Sequence, residues 1–208
     1  MKAIICITQT ILSSILLNLQ LKIPFEVTYV LEYALLYINQ GIIGVSWTEI
    51  GLFKLTLPYN NAEAAIHDLI NINANQDLNI QVFTKPNSTN NSNKLIKSLY
   101  IELNNYFKGE KHEFNFQIDL NWCTDFQKRV FEAVKNIPYG CTLSYKEIAQ
   151  KINKPTAAQA VGNTLNKNKL PIIIPCHRII NSNKTLGGFN YGTAWKKKLL
   201  KLEKTGAK

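Results

Sequence analysis

Few side chains in this sequence of 208 residues have the chemistry to act as nucleophile, base or metal ligand. There are four cysteines, Cys6, Cys123, Cys141 and Cys176, and three scattered histidines, His67, His112 and His177. No C-x-x-C pair occurs and no histidine stands at zinc-finger spacing. Neither a disulfide framework nor a structural metal site is therefore expected. Isolated thiols fit a reducing compartment, and a cytoplasmic location is expected. One cysteine has a histidine beside it, in Pro175-Cys176-His177-Arg178. A basic neighbour can lower a thiol's pKa and make it a thiolate nucleophile. Consecutive side chains on an extended chain point opposite ways, so a bend or a bridging water has to connect sulfur and imidazole.

The elements around that cysteine follow from local signals. Pro171 to Pro175 (PIIIP) reads as a short buried strand ending at Cys176. Upstream, Thr124-x-x-Gln127 is a capping box before Phe126, Val130, Phe131 and Val134, which share a helix face. Pro138-Tyr139-Gly140 stops that helix. Ser144-x-x-Glu147 is a second capping box, opening a short helix with Ile148, Ala149 and Ile152 inward. A turn at Asn153 to Pro155 leads to a third helix, Thr156 to Lys167, rich in small residues. Two short helices joined by a tight turn make a helix-turn-helix, and small side chains on the second let its backbone approach a groove. A loop with Gly187-Gly188 follows, then a basic amphipathic helix from about Thr193 to Lys204.

Charge separates the two halves. Residues 122 to 208 hold 16 Lys and Arg against 4 Asp and Glu, a net of +12. Residues 1 to 121 hold 8 against 10, a net of −2. A coding bias towards lysine would not leave the first half acidic, so the second half is a candidate polyanion surface, with nucleic acid the obvious partner. The first half reads as a small α/β domain without chemistry. Ala34 to Ile38, Ile42 to Trp47 and Leu52 to Leu57 are strands of an antiparallel meander, turned at Gln40-Gly41 and at Glu49 to Gly51. Helices are expected over Asn61 to Ile70 and Lys94 to Phe107, the latter with Leu95, Leu99, Leu103 and Phe107 four apart and Gly109 beyond its end. Lys85 to Asn93 is a polar loop. The uncharged run from Ala3 to Leu21 is either a weak signal or anchor sequence or a buried or extended segment. Gln9, Asn18 and Gln20 interrupt it and no A-x-A-like site follows, which favours the second reading and no membrane association.

From about Phe126 to Glu203 the chain resembles the C-terminal domain of the O6-alkylguanine-DNA alkyltransferases. The likeness runs in one register through SYKEIA (144 to 149), AVGNTLNKN (160 to 168), PIIIPCHRII (171 to 180), the glycine loop and KKLLKLE (197 to 203). The first half resembles that family's variable domain in outline only, in SWTEIGLFKLTL (46 to 57) and the helix after it. The resemblance implies an α/β protein of two domains. Residues 1–112 would form a small ribonuclease H-like domain. Residues 113–208 would form a mainly helical one with a winged helix-turn-helix-like motif. It implies a monomer that needs no cofactor and acts on double-stranded DNA containing O6-alkylguanine. Cys176 matches the alkyl acceptor, His177 the histidine that takes the thiol proton through a water, and Glu203 the carboxylate that orients it. Asn168 matches a hinge asparagine. Tyr145 matches the tyrosine that displaces the target nucleotide and helps protonate the departing guanine. Thr156, Ala158, Gln159, Lys167 and Arg178 fall at DNA-contact positions, and Leu165, Ser182, Leu186, Phe189, Asn190 and Tyr191 at pocket positions.

The chain departs from the family's pattern in places. Gln159 stands where an arginine finger is usual, and glutamine has neither the charge nor the stacking of guanidinium. Lys154, Lys167 or Lys169 are candidates to compensate. Asn163 and Tyr191 replace small residues, so Tyr191 either narrows the pocket or points to solvent. Cys6 lacks the companions of zinc-binding members. Two other functions remain in view. A non-catalytic module that recognises alkylated DNA fits Gln159 but not the retained Cys176. A cysteine hydrolase fits Cys176 and His177 but has no oxyanion-hole signal and leaves the helix-turn-helix unexplained.

Overall fold

The computed structural model describes residues 31–70, 80–83 and 94–206. The apolar run 3–21 and the polar loop 85–93 lie outside these residues.

Three strands form the expected meander: β1 (Glu32–Ile38), β2 (Gly41–Trp47) and β3 (Leu52–Leu55). β1 pairs antiparallel with β2, and β2 with β3. α1 (Ala62–Ile70) packs on β2. A further strand, β4 (Ile80–Phe83), escapes sequence reading because it is four residues long and sits among Asn-rich stretches. It pairs parallel with β1, giving the order β3-β2-β1-β4. α2 (Lys94–Phe107) lies against β1 and buries Ile96, Leu99, Leu103, Tyr106 and Phe107.

Both capping boxes form. Thr124 caps α3 (Asp125–Lys135), and its side chain and backbone exchange hydrogen bonds with Gln127. Ser144 caps α4 (Tyr145–Lys151) and exchanges bonds with Glu147 in the same way. Each box satisfies two backbone donors that a bare helix start would leave unpaired. α5 (Ala158–Leu165) is shorter than the expected Thr156 to Lys167 and has no side-chain cap. α3, α4 and α5 pack on one another through Val130, Val134, Ile148, Ala149 and Val161. Two-residue strands β5 (Leu143–Ser144) and β6 (Ile179–Ile180) pair in parallel beside them. α6 (Gly192–Gly206) closes the fold. One continuous buried cluster runs from Ala34 and Leu36 in β1 to Leu199 in α6. The architecture is mixed α/β, and among the described residues no helix is long and apolar enough to cross a membrane.

The reading of Pro171 to Pro175 as a strand is corrected. The segment is buried, as expected, but it is a series of turns, with Ile172 at φ 73. Its polar backbone groups are met by Asn168 instead of a neighbouring strand. Leu170 N donates to Asn168 Oδ1 at 2.9 Å, and Asn168 Nδ2 donates to Ile174 O at 2.8 Å. Ile174 N closes back on Leu170 O at 2.8 Å. A β-branched residue in the left-handed region is strained, and it persists here because buried side chains and these bonds over-determine the turn.

Candidate active site

That turn delivers the cysteine. Pro175 at φ −78 and ψ 63 makes an inverse γ-turn, with Cys176 N donating to Ile174 O at 2.7 Å. Cys176, His177 and Arg178 then form one turn of 3-10 helix rather than an extended tail. The chain is thus bent, not extended, at the Cys-His dipeptide. Cys176 is half-buried as a residue, and its Sγ accepts from Asn168 Nδ2 at 3.0 Å. Burial pushes its thiol up to about 11, against the opposing pull of the Asn168 hydrogen bond and of Lys196. The thiol therefore rests protonated, and its thiolate has to be generated when needed.

His177 and Glu203 are completely buried. His177 Nε2 donates to Glu203 Oε1 at 2.7 Å. Among the described residues His177 Nδ1 has no hydrogen-bond partner. Burial holds the imidazole below its ordinary pKa, although Glu203 works the other way. The ring is thus neutral, with its proton on Nε2 and a free lone pair on Nδ1.

Glu203 is the hub. Burial alone would raise its pKa, but donors from His177 and Arg178 outweigh that and bring it down to about 2. Arg178 Nε and Nη2 each reach it at 2.9 Å, Tyr106 Oη at 2.8 Å and the Gly140 backbone amide at 3.1 Å. Arg178 spends its remaining reach on Ile137 O at 2.6 Å. The expectation that Arg178 contacts DNA is corrected: it is 5% exposed and its planar fork is consumed by the carboxylate. Tyr106, buried and held neutral by burial and by Glu203, came without any signal in the sequence.

Tyr145 opens α4 and is half-buried. Burial and the nearby Cys176 raise its phenol pKa. Its ring lies along Gly162 of α5, and its hydroxyl sits where a Cβ on Gly187 would come to 3.2 Å. Gly187, at φ +69, is thus held to glycine by backbone shape and by Tyr145 together. Lys196 is a second group that sequence reasoning missed. It is fully buried, its Nζ donates to Gly188 O at 3.0 Å, and burial pulls its pKa to about 8 against the pull of Cys176. Lys196, Leu199 and Glu203 fall at i, i+3 and i+7 on α6, so the helical period carried a signal that they face inward together.

The remaining candidates divide. Thr156, Gln159, Lys154 and Lys167 are exposed around α5, and Ala158 is half-buried. Lys169 is corrected as a compensating cation for DNA: its Nζ is stacked 4.2 Å from the Phe53 ring centre and 4.3 Å from that of Trp122. Leu165 is buried in the core, Leu186 is half-buried and Ser182 is exposed. Phe189 stands edge-on to His177 with ring centres 6.5 Å apart. Asn190 Nδ2 donates to Asn166 O at 2.6 Å. Tyr191 does not end in solvent: its hydroxyl donates to Asp68 Oδ2 of α1 at 2.8 Å. Among the described residues no group of three or more His, Cys, Asp or Glu is placed to hold a metal ion.

Comparisons with known proteins bear on this arrangement. Residues 125–205 match the family model described as 6-O-methylguanine DNA methyltransferase, DNA binding domain. A methylated-DNA–protein-cysteine methyltransferase of Mycobacterium tuberculosis is 49% identical over 106 residues, which is 51% of this chain and 64% of that protein. The matched stretch thus spans less than two thirds of the mycobacterial relative's length. The methyltransferase of the same description from Sulfolobus acidocaldarius is 45% identical over 111 residues, covering 53% of this chain and 69% of that one. The crystal structure of Mycobacterium tuberculosis OGT in complex with DNA superposes with a TM-score of 0.65 at 32% identity, covering 84% of this chain and 94% of that one. The chain belongs to the methylated-DNA–protein-cysteine methyltransferase family.

Proposed function

We propose that this protein repairs double-stranded DNA by moving the alkyl group from O6 of guanine onto its own Cys176. The observation that carries the reading is a thiol, Cys176, that is hydrogen-bonded by Asn168, lies near Tyr145 and is followed in the chain by the buried His177–Glu203 pair. The alkyl carbon is out of reach inside a duplex, so the nucleotide has to be turned out of the stack. The exposed residues around α5, Lys154, Thr156, Gln159 and Lys167, with half-buried Ala158, are the surface offered to DNA. Shape and charge of the minor groove are read there in preference to base identity.

In the proposed reaction the thiol proton passes through a bridging water to His177 Nδ1, and Glu203 holds the resulting imidazolium. The thiolate attacks the alkyl carbon in line, the C–O6 bond breaks, and guanine takes a proton from the Tyr145 hydroxyl. Asn168 steadies the sulfur through the charge-assisted bond that forms as it ionises. The product is a thioether, which no proton transfer at this site reverses, so each molecule acts once. The groups named suffice without a cofactor, and one chain supplies all of them. We also propose a division at about residue 112. The first part would be ribonuclease H-like, supported by a meander whose first strand is joined in parallel by β4. The second would be a winged helix-turn-helix-like unit, supported by β5 and β6 beside α4 and α5. Titrating the protein with a duplex carrying one O6-methylguanine tests the activity: repair should stop at one lesion per molecule. Repeated turnover would point to a hydrolase, and binding without transfer to a recognition module.

A further inference from the structure

Residues 187–191 lead into α6, and a different part of the fold meets each of them. Gly187 lies against Tyr145 and Asn181. Gly188 O accepts from Lys196. The Phe189 ring stands on His177, and the Asn190 amide bonds Asn166. These four contacts all come from the cysteine-bearing half. The fifth does not, because Tyr191 reaches Asp68 of α1, 123 positions earlier in the chain.

Asp68 is built into that role. Its Oδ2 accepts from Tyr59 at 3.1 Å as well as from Tyr191 at 2.8 Å. Lys54 Nζ stands 3.4 Å from its Oδ1 and also donates to its backbone carbonyl. Tyr59 and Lys54 therefore hold the carboxylate on α1 independently of Tyr191. Phe189 lies between Tyr191 and His177, with ring centres 6.1 Å from the former and 6.5 Å from the latter. A displacement of Tyr191 is thus passed by direct packing to the ring beside the reactive dipeptide.

We propose that Asp68 is a positioning residue that, through Tyr191, fixes the loop beside Cys176 and restricts transfer to small alkyl groups such as methyl. The proposal rests on the alkyl-transfer reading above. A methyl group on O6 adds one carbon beyond the guanine, whereas a benzyl group adds a whole ring, which a loop held rigidly beside the reactive dipeptide has to yield to admit. The half of the protein without chemistry of its own then sets the size of the group accepted.

The test compares single-turnover transfer from O6-methylguanine and O6-benzylguanine placed in the same duplex. Asp68→Ala should raise the benzyl-to-methyl rate ratio by about tenfold or more while methyl transfer stays within about threefold of the unaltered protein. Tyr191→Phe, which removes one hydroxyl and keeps the ring, should raise the ratio in the same direction. It carries the test if Asp68→Ala fails to fold. Asp68→Asn keeps an acceptor oxygen for Tyr191 and should restore the original ratio. An unchanged ratio in both Asp68→Ala and Tyr191→Phe overturns the proposal, as does an equal loss on both substrates. Failure of the unaltered protein to transfer methyl at all would overturn the alkyl-transfer reading itself. Failure of the latch alone leaves that activity intact.

Discussion

Replacing Glu203 with Gln removes one charge and almost no volume from the most connected side chain of the site. Five donors from four residues converge on its carboxylate: one each from His177, Tyr106 and the Gly140 amide, and two from Arg178. In Glu203→Gln one carbonyl oxygen remains to accept, and an NH2 group is turned towards a donor. The buried guanidinium of Arg178 is left without its counter-charge. Breaking a buried pair from one side costs about 3 to 5 kcal/mol. For a chain of this size each kcal/mol moves the midpoint by about 2 to 4 °C, so Tm should fall by roughly 6 to 20 °C. Thermal unfolding followed by circular dichroism reads this directly. Arg178→Met should be destabilising as well, since it leaves Glu203 buried and alone. The double variant should fall clearly less than the sum of the two, because neither charge is then stranded. Alkyl transfer by Glu203→Gln should slow by about a hundredfold or more, because the His177 proton is no longer directed to Nε2. A Tm within about 2 °C of the unaltered protein, or strict additivity in the cycle, would refute the account of Glu203 as the hub.

Further outcomes follow from the same geometry. With the Cys176 thiol held at about 11, only about one molecule in a thousand carries the thiolate at pH 8. Iodoacetamide labelling of Cys176 in the free protein, read by peptide mapping, should therefore be slow at neutral pH. It should rise about tenfold per pH unit up to pH 10; fast labelling at pH 7 would contradict it. Glu203 titrates at about 2 and His177 below its ordinary value, so both give stability that is complete above their unfolded pKa values and lost as pH falls. Tm should decline below the ordinary histidine value of 6.5 and again between 4.5 and about 2, the second decline being shallower in Glu203→Gln. Lys154→Ala should weaken binding to any duplex alike and reduce the slope of log K against log salt by about 0.9. An unchanged slope would remove Lys154 from the DNA surface.

Signals that act over a few residues were the readable ones. The boxes at Thr124 and Ser144 formed because side chain and backbone satisfy each other within one turn, whatever lies around them. α2 began and ended where its four-residue spacing and Gly109 placed it. Pro171 to Pro175 shows the limit of such signals. Its apolar content foretold burial, but the partner of its backbone is the Asn168 side chain, and composition cannot reveal that. Family resemblance points Arg178 at DNA, nearness to Gln159 points Lys169 there, and neither signal reports burial. Each is withdrawn by a partner distant in sequence, Glu203 in one case and the Phe53 and Trp122 rings in the other. Within the site, Cys176 and His177 stood out through their own chemistry. Glu203, Asn168 and Tyr145 were placed by family resemblance, and Tyr106 and Asp68 became visible once the fold brought them near.

Intact mass of the protein, taken after incubation with a duplex bearing one O6-methylguanine, tests the central claim most directly. The expected result is a gain of about 14 Da, limited to one equivalent, mapped to the peptide containing Cys176 and absent in Cys176→Ala. An unchanged mass with the lesion bound, or a methyl group mapped to another residue, would contradict it.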